Sequence, residues 1–156
     1  MADFRLVSPA FEHDRPLPSR FVGEDEGVSP PLQWSGVPAG AKELLIVCDD
    51  PDTETGVVTH WIVFGIAPDA EGLPEGLSRD AYIEDPIELV QGLNEFDEVG
   101  YIGPEPDDER GPHRIFFRIS ALDAELTQLS PGATRNELRA AIKGHLLGGA
   151  ELVGIA

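Results

Sequence analysis

The clearest hydrophobic pattern in the chain is a pair of apolar runs that flank a polar segment. The runs cover residues 44–47 and 61–66, are rich in β-branched side chains and predict two buried strands. Alternation of side chains between the two faces of a strand predicts that one face of the second strand carries His60, Ile62, Phe64 and Ile66. His60 is therefore expected to stand in line with core residues at the entrance of a strand.

The polar segment between the two strands concentrates carboxylates before this histidine. Pro51 fixes its own φ and favours an extended conformation for Asp50, so a bend is predicted at residues 50–52. A histidine paired with a carboxylate has its tautomer and orientation fixed, and once protonated it donates from both nitrogens. We interpret the segment as a candidate anion site in which Asp50 or Asp52 orients His60.

Weaker patterns predict the remaining β-structure. A short strand is expected at residues 4–7, a brief extended piece at 32–34, and a long strand at 113–122 that begins at His113. Alternation predicts one face of this long strand formed by His113, Ile115, Phe117 and Ile119. Residues 67–91 hold three prolines among acidic residues and predict a long connection with at most one turn of helix.

The last quarter of the chain changes to a helical period. Thr134 and Glu137 form a predicted capping box at the start of an amphipathic helix. The apolar positions at helical spacing are Leu138, Ala141, Ile142 and Leu146. Gly148 and Gly149 are expected to end this helix, and a short apolar tail is expected at residues 152–156.

The length of 156 residues is typical of one domain, and we expect a single domain over residues 1–156. Cys48 is the sole cysteine and ends an apolar run, which indicates a buried hydrophobic residue in a reducing compartment. The chain begins without a basic and apolar leader, and no run reaches 18 apolar residues. We therefore expect a cytoplasmic protein that makes no stable membrane insertion.

The charge balance is strongly acidic. The chain has 29 acidic residues against 11 basic ones, a formal net charge of −18, with acidic clusters at residues 24–26 and 107–109. Such a surface repels nucleic acid and anionic membranes, because both need clustered Lys or Arg. The balance favours a halophilic surface adapted to a salt-loving source, with an acidic protein of an ordinary mesophile as the alternative.

Four side chains at predicted strand ends carry the candidate chemistry: Asp50, Asp52, His60 and His113. A metal site is disfavoured, because no His or Cys pair has the spacing of compact zinc sites. The chain also lacks the Gly-rich phosphate-binding motifs and the G-x-S-x-G motif of a serine nucleophile. Both histidines could instead be buried, hydrogen-bonded core residues.

Four segments in succession resemble the signatures of the phosphatidylethanolamine-binding protein family, and most closely its prokaryotic Raf kinase inhibitor-like branch. The segments are SPPLQWSGVPAG, DDPDTETGVVTHWIVFGI, GLNEFDEVGYIGPEPDDERGPHRIFF and GHLLGGAELVG. The resemblance implies a mainly β fold of antiparallel sheets packed together, with a few peripheral helices that include the C-terminal amphipathic helix. It also implies a small pocket for phosphate-like or acetate-like anions.

Carried over position by position, the resemblance assigns ligand-binding roles to six residues of this chain: Asp50, Asp52, His60, Gly103, Pro104 and His113. The chain departs from the family pattern at three nearby positions. Ile115 replaces a common tyrosine, Glu105 a common cysteine and Asp107 a common proline. These departures concern the affinity and identity of the ligand more than the fold.

The residues and the resemblance together predict a regulatory protein that binds a small anion or a phosphorylated group and performs no catalytic turnover. No cofactor is implied. A kinase or a protease is a possible partner, and a homodimer is expected. The alternative is a hydrolase in which His60 or His113 acts as general base, oriented by Asp50 or Asp52, on a small phosphate or carboxylate ester.

Overall fold

The computed structural model describes residues 3–23, 27–105 and 111–156. In chain order the strands are β1 (Arg5–Val7), β2 (Arg15–Pro16), β3 (Leu32–Ser35), β4 (Glu43–Thr53), β5 (Gly56–Ile66), β6 (Gly72–Leu73), β7 (Tyr82–Ile83), β8 (Leu89–Gln91), β9 (Arg114–Leu122) and β10 (Leu146–Ile155). A short 3-10 helix covers Ser19–Phe21, and the helix α1 (Arg135–Ile142) lies between β9 and β10. The predicted acidic clusters at residues 24–26 and 107–109, with Asp107, fall outside the described residues.

The strands form two sheets. The larger has the order β2-β10-β9-β4-β5-β8-β7 and the smaller the order β1-β3-β6. The strand pairs are antiparallel apart from β2 with β10, which is parallel. The prediction of a mainly β fold with packed antiparallel sheets and few helices is confirmed.

Apolar side chains pack on both faces of the larger sheet. The first cluster combines both sheets, and its members include Leu6, Trp34, Leu73, Ile46, Trp61 and Phe117. The second lies on the opposite face beside α1 and includes Leu45, Ile62, Phe64, Ala133 and Leu138. Burial on both faces explains why the central strands are almost continuously apolar in sequence. Cys48 is fully buried in the first cluster, as predicted.

The two central strands are longer than their apolar runs. β4 and β5 each extend over 11 residues and form one antiparallel hairpin, so the polar segment at residues 49–53 lies within β4. The bend predicted at residues 50–52 is instead an irregularity of this strand, where the pairing register shifts between Asp50 and Thr53. The candidate carboxylates therefore stand on a strand, which holds them more firmly than a loop.

The prediction that His60 shares a face of β5 with Ile62 and Phe64 is wrong, because a β-bulge interrupts the alternation of side chains. Cys48 pairs with Trp61 and Asp49 pairs with Thr59, which leaves His60 as the extra residue of β5. A bulge moves the following residues out of phase, so His60 faces the side of the sheet that carries Trp61. A second irregularity at Gly65, with φ +69°, returns Ile66 to the same cluster as Trp61.

The segment from residue 67 to residue 91 has no helix, in keeping with the prediction of at most one turn, but it is not a plain connection. It contributes three short strands, β6 to the smaller sheet and β7 and β8 to the edge of the larger one. Each has only two or three residues, which is too short for a period to show in the sequence. The short strands predicted at residues 4–7 and 32–34 are confirmed as β1 and β3.

The C-terminal part differs from its prediction. Thr134 and Glu137 do form a capping box, but α1 ends at Ile142, and Gly144 with φ +82° follows the C-cap residue Lys143. A glycine in this conformation is a common helix stop. Leu146 is exposed and begins β10, and Gly148 and Gly149 pair within that strand. The expected short tail is thus the end of a ten-residue strand beside β9.

Among the described residues, no helix has the length and the apolar character that a membrane span requires. The helix α1 has only eight residues, fewer than the roughly 20 needed to cross the hydrocarbon core of a bilayer.

Candidate functional site

A cavity of about 240 Å³ opens beside the end of the β4–β5 hairpin that carries the turn. Its lining residues are Asp50, Thr53, Val58, His60, Phe96, Ile102, Gly103, Glu105 and His113. Four of the six predicted ligand-binding residues are therefore brought together from distant parts of the chain. Their binding roles stay a prediction.

Asp50 and His113 form a buried pair at this cavity. Asp50 Oδ2 lies 2.7 Å from His113 Nδ1, and Asp50 Oδ1 accepts a hydrogen bond of 2.8 Å from the backbone N–H of Asp52. The contact fixes the tautomer, since an ionised carboxylate can only accept and Nδ1 must carry the proton. His113 Nε2 is buried and has no hydrogen-bond partner among the described residues. It is a lone-pair acceptor when the ring is neutral and a donor when the ring is charged.

His60 is oriented by the backbone and not by a carboxylate. Its Nδ1 lies 2.8 Å from the carbonyl oxygen of Ile102, which can only accept, so Nδ1 carries the proton. Burial lowers the pKa of His60 below its usual 6.5, and the hydrogen bond to Ile102 and the nearby Asp50 only partly oppose this effect. The hypothesis that Asp50 or Asp52 orients His60 is wrong, because Asp50 holds the other histidine.

Asp52 turns away from the cavity and binds Arg114. Its two carboxylate oxygens accept from Nη2 at 2.8 Å and Nε at 3.0 Å, and Oδ2 also accepts from the backbone N–H of Arg114 at 2.8 Å. The hydrogen bonds from Arg114 lower the pKa of Asp52 from 3.8 to about 2. Asp52 does not line the cavity, but it anchors the residue that follows His113.

Gly103 is required by a close approach of two backbone segments. A Cβ atom at this position would lie 2.6 Å from the carbonyl oxygen of Phe21 and 2.8 Å from that of Gly23. Pro104 does not line the cavity, and its carbonyl oxygen accepts a hydrogen bond of 2.9 Å from the N–H of Gly23. Gly103 and Pro104 therefore hold this wall of the cavity against the backbone of residues 21–23.

The end of β10 holds His113 in place. The N–H of His113 donates to the carbonyl oxygen of Ala156 at 2.7 Å, and the N–H of Ala156 donates back to His113 at 2.9 Å. The predicted strand at residues 113–122 begins one residue later, at Arg114, but Ile115, Phe117 and Ile119 share the expected buried face. Ile115 lies in the core between the two sheets, as its apolar side chain requires.

Several lining residues were not singled out as binding residues from the sequence: Thr53, Val58, Phe96, Ile102 and Glu105. Glu105 was noted only as a departure from the family pattern. The sequence did hold a pattern that could have marked Phe96 as a candidate lining residue. It is a single aromatic residue among acidic ones in the segment Glu95-Phe96-Asp97-Glu98. An aromatic residue with such neighbours is not part of an apolar strand. In the part of the chain that the structure describes, no cluster of His, Cys, Asp and Glu is arranged to hold a metal ion.

The sequence has close relatives in archaea. It is 44% identical over 150 residues to a UPF0098 protein of Methanothermobacter thermautotrophicus, which covers 96% of both chains. It is 42% identical over 149 residues to a UPF0098 protein of Pyrococcus abyssi, which covers 96% of this chain and 83% of the relative. The similarity thus extends over nearly the entire chain.

Solved structures show the same fold. A phosphatidylethanolamine-binding protein homologue of Chlamydia trachomatis superposes with a TM-score of 0.84 at 38% identity, over 98% of this chain and 96% of the homologue. YbcL of E. coli, described as a member of the mammalian family, gives a TM-score of 0.88 at 27% identity, over 99% and 98% of the two chains. The sequence model of the phosphatidylethanolamine-binding protein family matches residues 7–156. The chain therefore belongs to the phosphatidylethanolamine-binding protein family.

Proposed function

We propose that the cavity binds a small oxyanion, either inorganic phosphate or the phosphate group of a larger molecule, and that it performs no turnover. The observation that carries the proposal is the buried His113 Nε2, which has no partner among the described residues. A buried polar atom without a hydrogen bond costs about 1–3 kcal/mol, which a ligand that reaches it can recover.

The charges of the cavity restrict the protonation state of this oxyanion. Asp50 and Glu105 both line the cavity, and the lowered pKa of His60 leaves its imidazole uncharged near pH 7. With Nδ1 of His60 and of His113 committed as donors, both Nε2 atoms are acceptors in the neutral rings. An oxyanion therefore fits best when it carries an O–H group, or when a proton is taken up on binding.

A comparison of phosphate with sulfate tests the need for an O–H group. Both ions are tetrahedral, but sulfate carries no proton near pH 7. We expect the chain to bind phosphate about tenfold more tightly than sulfate, the equivalent of one hydrogen bond of about 1.4 kcal/mol. Isothermal titration in about 1 M KCl, where the Debye length is about 3 Å, would measure both affinities with the acidic surface screened. Equal affinities would contradict the requirement for an O–H group, whereas failure of phosphate to bind, or binding of methylammonium in its place, would contradict the proposed anion site.

Two matched histidine variants test whether this cavity is responsible for the preference for phosphate over sulfate. His113→Ala should abolish the preference for phosphate, whereas His145→Ala should leave it unchanged. His145 has the same type of partner, with Nδ1 2.8 Å from Asp123 Oδ1, but that pair is exposed. At a pH below the lowered pKa of His60, the protonated ring becomes a donor at Nε2, so sulfate binding should strengthen and the preference for phosphate should narrow.

The Asp50–His113 pair also supports a second candidate function, the hydrolysis of small esters. A carboxylate that holds Nδ1–H while Nε2 stays free is the arrangement of a general base, which could activate a water molecule. Among the described lining residues only Thr53 carries a hydroxyl group, and this group donates to the carbonyl oxygen of Gly56, so water is the nucleophile that the pair could activate. A general base alone contributes about 10²–10⁴-fold.

Turnover of 4-nitrophenyl phosphate and 4-nitrophenyl acetate distinguishes the two candidates. A binding protein should show no turnover above the buffer rate with either ester. Turnover that follows the protein concentration, is lost in His113→Ala and is retained in His145→Ala would establish the hydrolase and contradict the first proposal.

A further inference from the structure

The outer edge of β10 is paired along only a small part of its length. On one side β10 pairs with β9 from Leu146 to Ile155, whereas on the other side β2 pairs only with Gly154 and Ile155. Just before this pairing, the N–H of Val153 donates to Nδ1 of His13 at 3.1 Å, and the carbonyl oxygen of Val153 accepts from the backbone N–H of Asp14. The part of the edge that precedes Val153 has no neighbouring strand among the described residues.

The regular pairing of β10 with β9 between Gly148 and Ile155 fixes the direction of the backbone groups on this edge. Successive residues of a strand turn their N–H and C=O groups to opposite edges. Since the groups of Val153 point away from β9, those of Gly149 and Glu151 do so as well. Both residues are exposed, and none of the described residues hydrogen-bonds to their backbone on this side. The open edge, residues 149–151, therefore offers two N–H donors and two C=O acceptors to an added strand.

A groove of about 450 Å³ lies beside the open edge, between β10 and β1. Its apolar lining comes from both strands and from the segment that follows β1: Phe4, Leu6, Phe11, Ala150 and Leu152. These side chains belong to the first apolar cluster or pack against it, so the floor of the groove is held by the core. The groove shares no lining residue with the anion cavity. It can receive the apolar side chains of a segment that pairs with the open edge.

The open edge lacks the usual protection against pairing with another chain. Natural proteins protect a free edge with Lys, Pro or charged side chains that point inward. Residues 149–151 contain neither Lys nor Pro, and Gly149 has no side chain. The carboxylate of Glu151 does not cover the edge, because it lies 3.0 Å from Arg118 on the neighbouring strand β9. An unprotected edge beside an apolar groove is the arrangement used to bind an extended peptide as an extra strand.

The charges near the open edge indicate which kind of segment fits it. Glu12 and Glu151 line the groove against one arginine, Arg5, which already lies 4.0 Å from Asp3. A second copy that paired through the same edge about a two-fold axis would bring the two Glu151 carboxylates together, and each copy has a formal net charge of −18. A segment with basic side chains meets attraction instead of this repulsion.

We propose that the open edge and its groove bind an extended segment of a partner protein in which apolar and basic residues alternate. The segment pairs with Gly149 and Glu151 as an additional strand. Because side chains alternate between the two faces of a strand, its apolar residues enter the groove and its basic residues lie on the opposite face beside Glu151. This site is independent of the proposed anion cavity.

Amide hydrogen exchange followed by NMR tests the proposal directly. In the free chain, the amides of Gly149 and Glu151 should exchange rapidly, whereas those of Ala150 and Leu152, which point towards β9, should exchange slowly. The probe is the peptide acetyl-KVKVKVK-amide in about 0.15 M KCl, where the Debye length is about 8 Å. At about ten times its dissociation constant it should slow the exchange of Gly149 and Glu151 about tenfold, because about one molecule in eleven stays unbound.

Modified peptides separate backbone pairing from attraction between charges. N-methylation removes backbone donors, and the residues that face β10 in an added strand are either all the lysines or all the valines. One of the two peptides, N-methylated at every lysine or at every valine, should therefore lose its affinity while the other keeps it. Acetyl-EVEVEVE-amide should not bind. If both N-methylated peptides bind as tightly as the parent peptide, the added strand is overturned.

Two variants at Glu151 make the same separation on the chain itself. Glu151→Ala should weaken binding of the parent peptide about two- to fivefold, the effect of one exposed ion pair. Glu151→Pro also removes the outward N–H, which an edge strand tolerates, and should weaken binding about two- to tenfold more. Glu84→Ala is the matched control, because Glu84 is exposed and directly follows β7 at the opposite edge of the larger sheet. It should leave the affinity unchanged.

Two further results would overturn the proposal. If the parent peptide binds and neither Gly149 nor Glu151 gains protection, the peptide occupies another part of the acidic surface. If both amides are protected in the free chain and lose this protection on dilution, a second copy of the chain is the occupant of the open edge.

Discussion

Asp50→Ala is expected to lower the free energy of unfolding by about 2–5 kcal/mol, because it leaves one buried and one partly buried donor without an acceptor. These donors are the Nδ1–H group of His113 and the backbone N–H of Asp52. Asp50 and His113 are both buried, so the loss of their contact should cost more than the loss of an exposed pair. Urea unfolding in about 1 M KCl, where the acidic surface is screened, would measure the change.

The control for Asp50 is the exposed histidine pair at the end of β9. Asp123→Ala removes the same kind of contact, that of His145 Nδ1 with Asp123 Oδ1 at 2.8 Å, where both side chains are nearly half exposed. Exposed pairs of this kind are worth about 0–1 kcal/mol. A change in Asp50→Ala no larger than that in Asp123→Ala would show that the buried pair does not hold the site together.

Trp61→Ala should lower the free energy of unfolding by about 3–5 kcal/mol, the usual cost of removing a buried aromatic side chain. Trp61 is fully buried on β5, directly after His60, and packs edge to face against Tyr101 with 5.5 Å between the ring centroids. Its Nε1–H donates to Oε1 of Gln91 at 2.8 Å, and Nε2 of Gln91 donates to the carbonyl oxygens of Ser78 and Asp80. The substitution therefore leaves a cavity and breaks a buried network.

Two further variants separate these contributions. Trp61→Phe keeps a ring and loses the hydrogen bond, so a loss of about 1–3 kcal/mol is expected. Val57→Ala on the same strand should change the free energy of unfolding by no more than about 0.5 kcal/mol, since Val57 is 45% exposed. A loss in Trp61→Ala that did not exceed the loss in Val57→Ala would contradict the assignment of Trp61 to the core.

Local patterns were sufficient for those elements whose causes lie within a few residues of the chain. The alternation of Ile115, Phe117 and Ile119 correctly predicts the buried face of β9. The Thr134–Glu137 capping box marks the start of α1, because both partners lie within one helical turn. Gly144 was an overlooked local signal, since its left-handed conformation ends the helix before Leu146.

The arrangement of the site depended on strand pairing, which local patterns do not encode. The bulge at His60 exists because β4 and β5 pair in one register before it and another after it, and no alternation within β5 reveals that shift. The partner of Asp50 lies 63 residues away, and only the pairing of β4 with β9 brings His113 beside it. Ala156 reaches His113 because β10 continues the sheet beside β9.

The sequence by itself therefore determined the mainly β fold, the buried face of β9 and four of the nine residues that line the cavity. Only the tertiary structure decided which carboxylate orients which histidine, and that Asp52 binds Arg114 outside the cavity. It also decided that Phe96 stands at the mouth of the cavity. The physical reason is that burial and periodicity are properties of one segment, whereas hydrogen-bond partners depend on the register in which distant segments pair.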